Sequence, residues 1–465
     1  MFNWSTIQVQ ASQLHKSFKN IKVIILCIVL VLLLFFSMFF ENDFSTFKSY
    51  QLLEINNTLS NIVFSSNERT YIAGENRTLN FVNTTIETPI NPNPNSYESI
   101  EIANILEDEE LIIDTKIPNK TYTLGPKISN WDKKRAKWLK KNPNFPNFIQ
   151  PNKPRVLLIS GSSPKSCENK IGDYYLLKSI KNKMDYCRIH GLEIYYNMVL
   201  LDDEMSGFWV KLPLIRKLML SHPEFEFIWW MDSDAMFTDM TFELPWERYR
   251  NVNLILHGWK EMVYDDKNWV GLNTGSFLLR NGQWGLDLLD SWAPMGPRGP
   301  VRDEAGILLS RELKGRPVFE ADDQSALVYL LATQRAKWGG KVYLENEYYL
   351  HGYWGIIVDK YEEYVRDYRP GFGDNRWPLI THFVGCKPCS KSGDYPAERC
   401  LKQMERAYNF GDNQVMEMYG FRHKSLGSTR VVKVENESRG SVEGKDVVDL
   451  LHPPFKAIKF AASLV

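Results

Sequence analysis

The two carboxylates of Asp232-Ser233-Asp234 are the most chemically suggestive pair in the chain. This is the only Asp-x-Asp in the sequence, and it begins where the apolar run Phe227 to Met231 ends. In an extended segment residues i and i+2 project to one side, so both carboxylates can converge on a hard cation such as Mg2+ or Mn2+. Such an ion can offset the charge that builds on a departing diphosphate, which glycosyl transfer from a nucleotide sugar requires. Taken alone, the tripeptide also fits a solvated turn that caps a helix. His382 by itself reads as a core or hydrogen-bonded imidazole. With Cys386, Cys389 and Cys400 it has the zinc-like spacing H-x3-C-x2-C-x10-C, and disulfide bonding is the competing fate of those thiols in an oxidising compartment. Asp322-Asp323-Gln324 precedes the apolar run SALVYLLATQ and reads as an N-cap followed by a helix.

Several elements must position these groups. Asn130 can cap a basic helix running to about Lys141. PNKPRVLLIS gives a buried strand from Val156 to Ile159, ending in Gly161 and Ser162. Gly172 to His190 has helical spacing (Leu176, Ile180, Met184, Cys187), with Lys178, Lys181 and Lys183 largely off that stripe and Gly191 as the stop. Leu192 to Asn197 is a second strand, Phe208 to Ser221 a second helix, and FIWWMD at 227 to 232 a third strand. The order β-α-β-α-β predicts an α/β, mostly parallel, doubly wound sheet whose ligand lies beyond the carboxyl ends of the strands. No G-x-G-x-x-G follows the first strand, so the dinucleotide fingerprint is missing. A dehalogenase-type phosphatase would carry its D-x-D after the first strand, followed by Thr or Val, whereas Met236 stands here. Gly161 and Ser162 can admit a uridine at the switch point. Lys211 and Arg216 do not share a helix face closely, so one of them at most is expected to reach the nucleotide, and both also read as solvated helix charges. Asn273, Thr274 and Gly275 lie between apolar runs, where Gly275 can admit a sugar and Asn273 can bond its hydroxyls, or the segment can be a strand bulge.

The chain has 465 residues, 44% hydrophobic and 24% charged, enough for one large or two ordinary domains. Lys plus Arg equals Asp plus Glu at 56 each, so no global field recruits nucleic acid. Aromatic residues reach 13%, with 14 Trp and 22 Tyr, side chains that fill cores and also stack on sugars. Residues 23–40 carry no charge and are just long enough to cross a bilayer as a helix. Lys16, Lys19 and Lys22 precede this run and Glu41 and Asp43 follow it, so the bias places 1–22 in the cytosol as a tail and the rest in the lumen. Met38, Phe39 and Phe40 do not suit signal-peptidase cleavage, which favours a retained anchor. Sequons stand at Asn56, Asn76, Asn83, Asn119 and Asn436 on the luminal side. Residues 41–121 are polar and read as a largely disordered stem, 122–455 as the catalytic domain and 456–465 as a tail. The basic stretch His423 to Lys445 reads as mobile. Among the cysteines, Cys167 and Cys187 are the expected pair, and the other partners stay open.

The stretch FWVKLPLIRKLMLSHPEFEFIWWMDSDAMFTDM closely resembles plant xyloglucan 6-xylosyltransferases. So do HGW at 257–259, GLNTGSFLLRN at 271–281, FEADDQSA at 319–326, HGYWG at 351–355 and HFVGCKPC at 382–389. The likeness runs from about Tyr122 to HPPFKAIK near the C-terminus. It implies a Golgi-resident, type II, metal-dependent and retaining enzyme of the GT-A fold in glycosyltransferase family 34. The implied reaction moves α-xylose from UDP-xylose to O6 of glucose in a β-1,4-glucan. The resemblance implies Asp232, Asp234 and His382 as ligands of Mn2+ or a similar ion, with Ser233 in the same nucleotide-binding tripeptide. Gly385 and Lys387 would bring a backbone amide and an ammonium to the diphosphate. Asp322, Asp323 and Gln324 would face the xylosyl ring and acceptor, Asp323 and Gln324 supporting positive character at C1. Some of Trp259, Trp269, Tyr353 and Trp354 are assigned to a glucan platform. Galactosyl transfer to a mannan and a non-catalytic scaffold role are the other readings. Partners would include homo- or hetero-oligomers with other Golgi glycosyltransferases.

Overall fold

A strand covered on both faces needs apolar side chains at consecutive positions, and FIWWM and VLLI have them. The computed structural model describes residues 122–205, 207–390 and 393–434. The anchor at 23–40, the stem, all five sequons, Cys27 and the segment from 435 onward lie outside the described residues. Among the described residues no helix is long and apolar enough to cross a membrane.

In chain order the first elements are α1 (Trp131–Lys141), β1 (Val156–Gly161), α2 (Lys170–His190), β2 (Glu193–Asn197), α3 (Lys211–Ser221), β3 (Phe227–Met231), β4 (Ala235–Phe237), β5 (Leu254–Gly258) and β6 (Leu272–Arg280). Then come α4 (Gln283–Trp292), α5 (Pro300–Glu312), α6 (Asp323–Thr333), β7 (Val342–Glu345), α7 (Tyr361–Asp367), β8 (Ile380–His382), α8 (Ala397–Met416), β9 (Phe421–His423) and β10 (Val431–Lys433). Six strands form the main sheet in the order β2-β1-β3-β6-β5-β7. All run parallel except β6, which pairs antiparallel with both β3 and β5. The expected mostly parallel α/β sheet is therefore present, with one antiparallel strand in its middle.

Alternation along β1 and β3 divides the core. Leu157, Ile159, Ile228 and Trp230 face one cluster with Leu212 and Ile215 of α3; Val156, Leu158, Phe227, Trp229 and Met231 face another with Tyr186 and Cys187 of α2. Helices α2 and α3 thus cover opposite faces, and the strand order reverses at β1. A crevice opens at such a reversal, between the carboxyl ends of β1 and β3.

Several expectations need correction. Asn130 precedes α1 in a left-handed conformation and its side chain makes no cap. The helix is held instead by Trp131, whose indole N–H donates to Asn281 Oδ1 at 2.8 Å, and by Arg135, paired with Glu226 at 2.9 Å. Lys178 and Lys183 do not lie off the buried face of α2. Both are buried, Lys178 against Glu405 at 2.5 Å and Lys183 under the loop described below. Cys187 is a free buried thiol, and the bridges are Cys167–Cys389 and Cys386–Cys400. Cys187 is 17 residues into α2, about 25 Å from its start, and faces the core. Cys167 precedes the helix, and Glu168 N–H donates to Cys389 O at 2.9 Å. With these thiols in disulfides, the zinc reading fails. The start of the supposedly mobile basic stretch is ordered: β9 and β10 pair as a hairpin, and His423 Nε2 lies 2.8 Å from Asp412 of α8.

Candidate active site

Register alone places Asp232-Ser233-Asp234 in the crevice. Ile159 pairs with Trp230, so Gly161 is level with Asp232, and Asp232 N–H donates to Gly275 O of β6 at 2.7 Å. The chain then enters β4, which pairs antiparallel with β8 so that Ala235 faces His382. Phe383 N–H donates to Asp234 O at 3.0 Å. Two three-residue strands far apart in sequence thus carry the imidazole to the carboxylates. His382 Nε2 stands 3.2 Å from Asp234 and 3.7 Å from Asp232. One ligand atom from each of the three residues lies within 4.8 Å of the others. Two carboxylates and one imidazole suit Mn2+ or a related ion. Burial works against a charged His382, yet Asp234 and then Asp232 hold its pKa above the usual imidazole value.

Three sets of contacts shape this centre. Lys183, fully buried, donates to Ala235 O at 2.7 Å and to Ser179 Oγ at 2.6 Å, while Ser179 Oγ donates to Ser233 O at 2.5 Å. The tripeptide loop therefore rests on α2. Gly275 leaves room for the His382 ring, because a Cβ there would lie 2.1 Å from His382 Cε1. The space this glycine leaves is taken by the His382 ring. His382 Nδ1 is 2.9 Å from His351 Nδ1. Burial, then His382 and His257, push the His351 pKa well down.

Lys211 is buried and paired inward, 2.9 Å from Asp323 and 3.4 Å from Asp232, and donates to Thr274 O at 3.1 Å. Burial opposes its charge, but Asp232 and Asp323 raise its pKa; burial raises that of Asp323 against the pull of Lys211. Arg216 is also buried, bonded to Pro126 O and 3.5 Å from Asp290, so neither basic residue is a solvated helix charge. Asn273 donates to Gln324 Oε1 at 3.0 Å and accepts from Gly275 N–H at 2.8 Å, and Gln324 donates to Trp269 O at 3.1 Å. β6 bulges here: Leu256 pairs with Phe277 and Gly258 with Leu272, so β6 advances five residues where β5 advances two, and Asn273, Thr274 and Gly275 stand in that irregularity, as the bulge reading expects.

The remaining candidates divide. Asp322 is the N-cap of α6: one oxygen accepts from Ser325 N–H at 2.8 Å and the other takes Arg316 at 3.0 Å, so both hold the helix. Gly161 has no space for a side chain because a Cβ would meet Asn197 O of β2 at 2.6 Å, and Ser162 N–H donates to the same oxygen at 3.0 Å. Gly385 has φ of +82°, which glycine tolerates, and a Cβ would meet Tyr395 at 2.8 Å. Lys387 is exposed, 3.8 Å from Asp394, between Cys386 and Cys389, each of which is bridged. Trp354 is core, stacked on Phe383 and bonded to Val384 O, so it is no sugar platform. Trp259, Trp269 and Tyr353 stay partly exposed. Sequence reasoning gave no role to Ser179, Lys183 or His351. A hydroxyl and a lysine four apart on a helix is too common a pattern to single out, and His351 showed only as the first residue of HGYWG.

A strand-end carboxylate pair with a convergent imidazole, at the reversal point of a doubly wound sheet, makes a group that could hold a metal ion in the crevice where such folds take a ligand. Residues 152–393 match the model of the galactosyl transferase GMA12/MNN10 family. Xyloglucan 6-xylosyltransferases 2 and 1 of Arabidopsis thaliana are each 70% identical to this chain, over 371 and 372 residues, covering about four-fifths of it and 80% of their own length. A probable xyloglucan 6-xylosyltransferase 1 of Oryza sativa subsp. indica is 72% identical over 338 residues, 73% of this chain and 75% of its own. The chain belongs to the GMA12/MNN10 glycosyltransferase family, numbered 34.

Proposed function

We propose that this protein is a Golgi, type II membrane-anchored glycosyltransferase of the GT-A kind. It moves α-xylose from UDP-xylose to O6 of glucosyl residues in a β-1,4-glucan, with retention, in xyloglucan side-chain synthesis. The observation that carries the reading is the 70% identity to two xyloglucan 6-xylosyltransferases over about four-fifths of the chain. The convergence of Asp232, Asp234 and His382 adds to it.

Mn2+ held by Asp232, Asp234 and His382 would supply positive charge beside the departing diphosphate. In a front-face reaction the C1–O bond to UDP breaks as the O6–C1 bond forms, and the O6 proton passes to the leaving phosphate oxygen. The chain's own residues then orient and stabilise. Lys211 ties Asp323 to Asp232, fixing the first turn of α6 against the metal loop. Asn273 and Trp269 O clamp the Gln324 amide in the same turn. Asp323 and Gln324 are the groups for positive character at C1. Lys387 supplies an ammonium to the diphosphate, and Trp259 and Trp269 offer ring faces to the glucan. The donor pocket must exclude the hydroxymethyl group that distinguishes galactose from xylose.

The test uses full-length protein in detergent, UDP-xylose with cello-oligosaccharides against UDP-galactose with manno-oligosaccharides, in Mn2+ or EDTA. Xylosyl transfer to the cello series that EDTA abolishes is the expected result. Faster galactosyl transfer to the manno series would overturn the donor and acceptor assignment. Normal UDP binding with no transfer from either donor would favour a scaffold.

A further inference from the structure

We infer that His351 is a positioning residue that fixes the tautomer and ring orientation in which His382 receives a divalent metal ion. The inference rests on the reading of Asp232, Asp234 and His382 as the metal site, and concerns a residue outside that set. The imidazole of His382 has two nitrogens with different tasks. Nε2 faces the carboxylates, 3.2 Å from Asp234 and 3.7 Å from Asp232. Nδ1 faces His351 Nδ1 at 2.9 Å, with the rings perpendicular and their centroids 4.9 Å apart.

Only one proton fits between the two Nδ1 atoms. A metal on Nε2 needs the lone pair there, so the proton of a neutral His382 sits on Nδ1 and is donated to His351. His351 is then the acceptor, with its own proton on Nε2. The opposite tautomer of His382 would put N–H on Nε2, where Asp234 would accept it and the metal position would be closed. His382 is 4% exposed, so water is a poor substitute for a lost acceptor at Nδ1.

The backbone makes the pairing rigid. His382 N–H donates to Gly352 O at 2.7 Å, and Tyr353 bridges to His382 as a parallel pair. Gly352 permits this approach, since a Cβ there would meet Ile380 O at 2.4 Å. His351 is therefore carried by a segment fastened to the strand it serves, while Gly275 walls the ring on its Cε1 side.

The test is Mn2+ affinity, read by electron paramagnetic resonance of free Mn2+ in full-length protein with saturating UDP. His351→Leu removes the acceptor and is expected to weaken Mn2+ 10- to 100-fold, in the range for outer-shell partners. His351→Asn presents an amide oxygen near the Nδ1 position and is expected to stay within about threefold of wild type. UDP affinity in EDTA should be unchanged in both. If H351L does not fold, His351→Ala takes its place. Wild-type Mn2+ affinity in H351L, or equal loss in H351L and H351N, overturns the inference. Asp232→Ala with Asp234→Ala separates the two failures: if Mn2+ binding survives it, the metal site itself is wrong.

Discussion

Gly275→Ala isolates the steric demand of His382, the proposed metal ligand. The added Cβ would stand 2.1 Å from His382 Cε1, 2.7 Å from its Nδ1 and 3.0 Å from Asn273 Oδ1. Carbon atoms rest at about 3.5 Å, so the ring must retreat by roughly 1.4 Å or β6 must part from β3. Either movement disturbs the 2.9 Å contact of His382 Nδ1 with His351. Ligand distances at a metal tolerate deviations of about 0.2 Å, and a misplacement of about 1 Å can cost roughly 100-fold in rate. We expect G275A to lower Mn2+-dependent transfer about 100-fold through weakened Mn2+ affinity, with about 1–3 kcal/mol of stability lost to overpacking. Mn2+ titrations of the transfer rate, with urea unfolding alongside, measure both. Unaltered Mn2+ affinity with a raised KM for UDP-xylose would refute the reasoning and return Gly275 to the sugar.

Lys211→Met leaves Asp323 buried without its cation and should cost roughly 3–5 kcal/mol; adding Asp323→Asn should recover part of it, and strict additivity in urea unfolding would refute the pairing. Burial pushes Lys183 down to about 7 against the pull of Asp234 and Asp232. Its folded pKa lies below its unfolded value, so the unfolded chain binds the extra proton and stability rises with pH above 7. The slope is about 1.4 kcal/mol per pH unit for one proton, and between pH 7.5 and 9 wild type should gain roughly 2 kcal/mol relative to Lys183→Met; parallel pH dependences of unfolding would refute this. Replacing Cys167 and Cys389 by Ser frees one end of the Lys387 loop across a separation of 222 residues. It should raise the KM for UDP-xylose several-fold and cost about 2–4 kcal/mol, whereas an unchanged KM would remove Lys387 from the diphosphate.

What the sequence made legible was continuous: β1 is apolar from Val156 to Ile159 and β3 at every position because both faces are covered, and the carboxylate pair sits where the pattern of β3 stops. What it hid was non-local. Ala235–Phe237 and Ile380–His382 are too short to show a period, so only the family resemblance joined His382 to Asp232 and Asp234. Cysteine spacing could not show that the loop before α2 packs on the loop after His382. Lys178, Lys183 and Arg216 misled the helix reading because long cationic side chains enter a core when a carboxylate or carbonyl awaits them. Gly275 drew the right attention for a different reason: the space it leaves is filled by the protein itself.

The aromatic surplus and the zero net charge now have local explanations. Trp131, Trp209, Trp229, Trp230, Trp292, Trp338, Trp354 and Trp377 are buried, so most of the indole surplus builds the core, and of the four aromatics assigned to the glucan Trp259, Trp269 and Tyr353 keep ring surface to offer. Charge at the site is divided just as sharply. Lys183 bonds the main chain under the carboxylates, and Lys211, only 3% exposed, is shared between Asp232 and Asp323. Neither has an ammonium to spare for a diphosphate. Lys387, by contrast, is solvent-facing, with Asp394 3.8 Å away. Two carboxylates in the crevice would by themselves repel the anionic donor. A divalent cation held between them would cancel that charge, so donor binding and metal binding should fail together at this site.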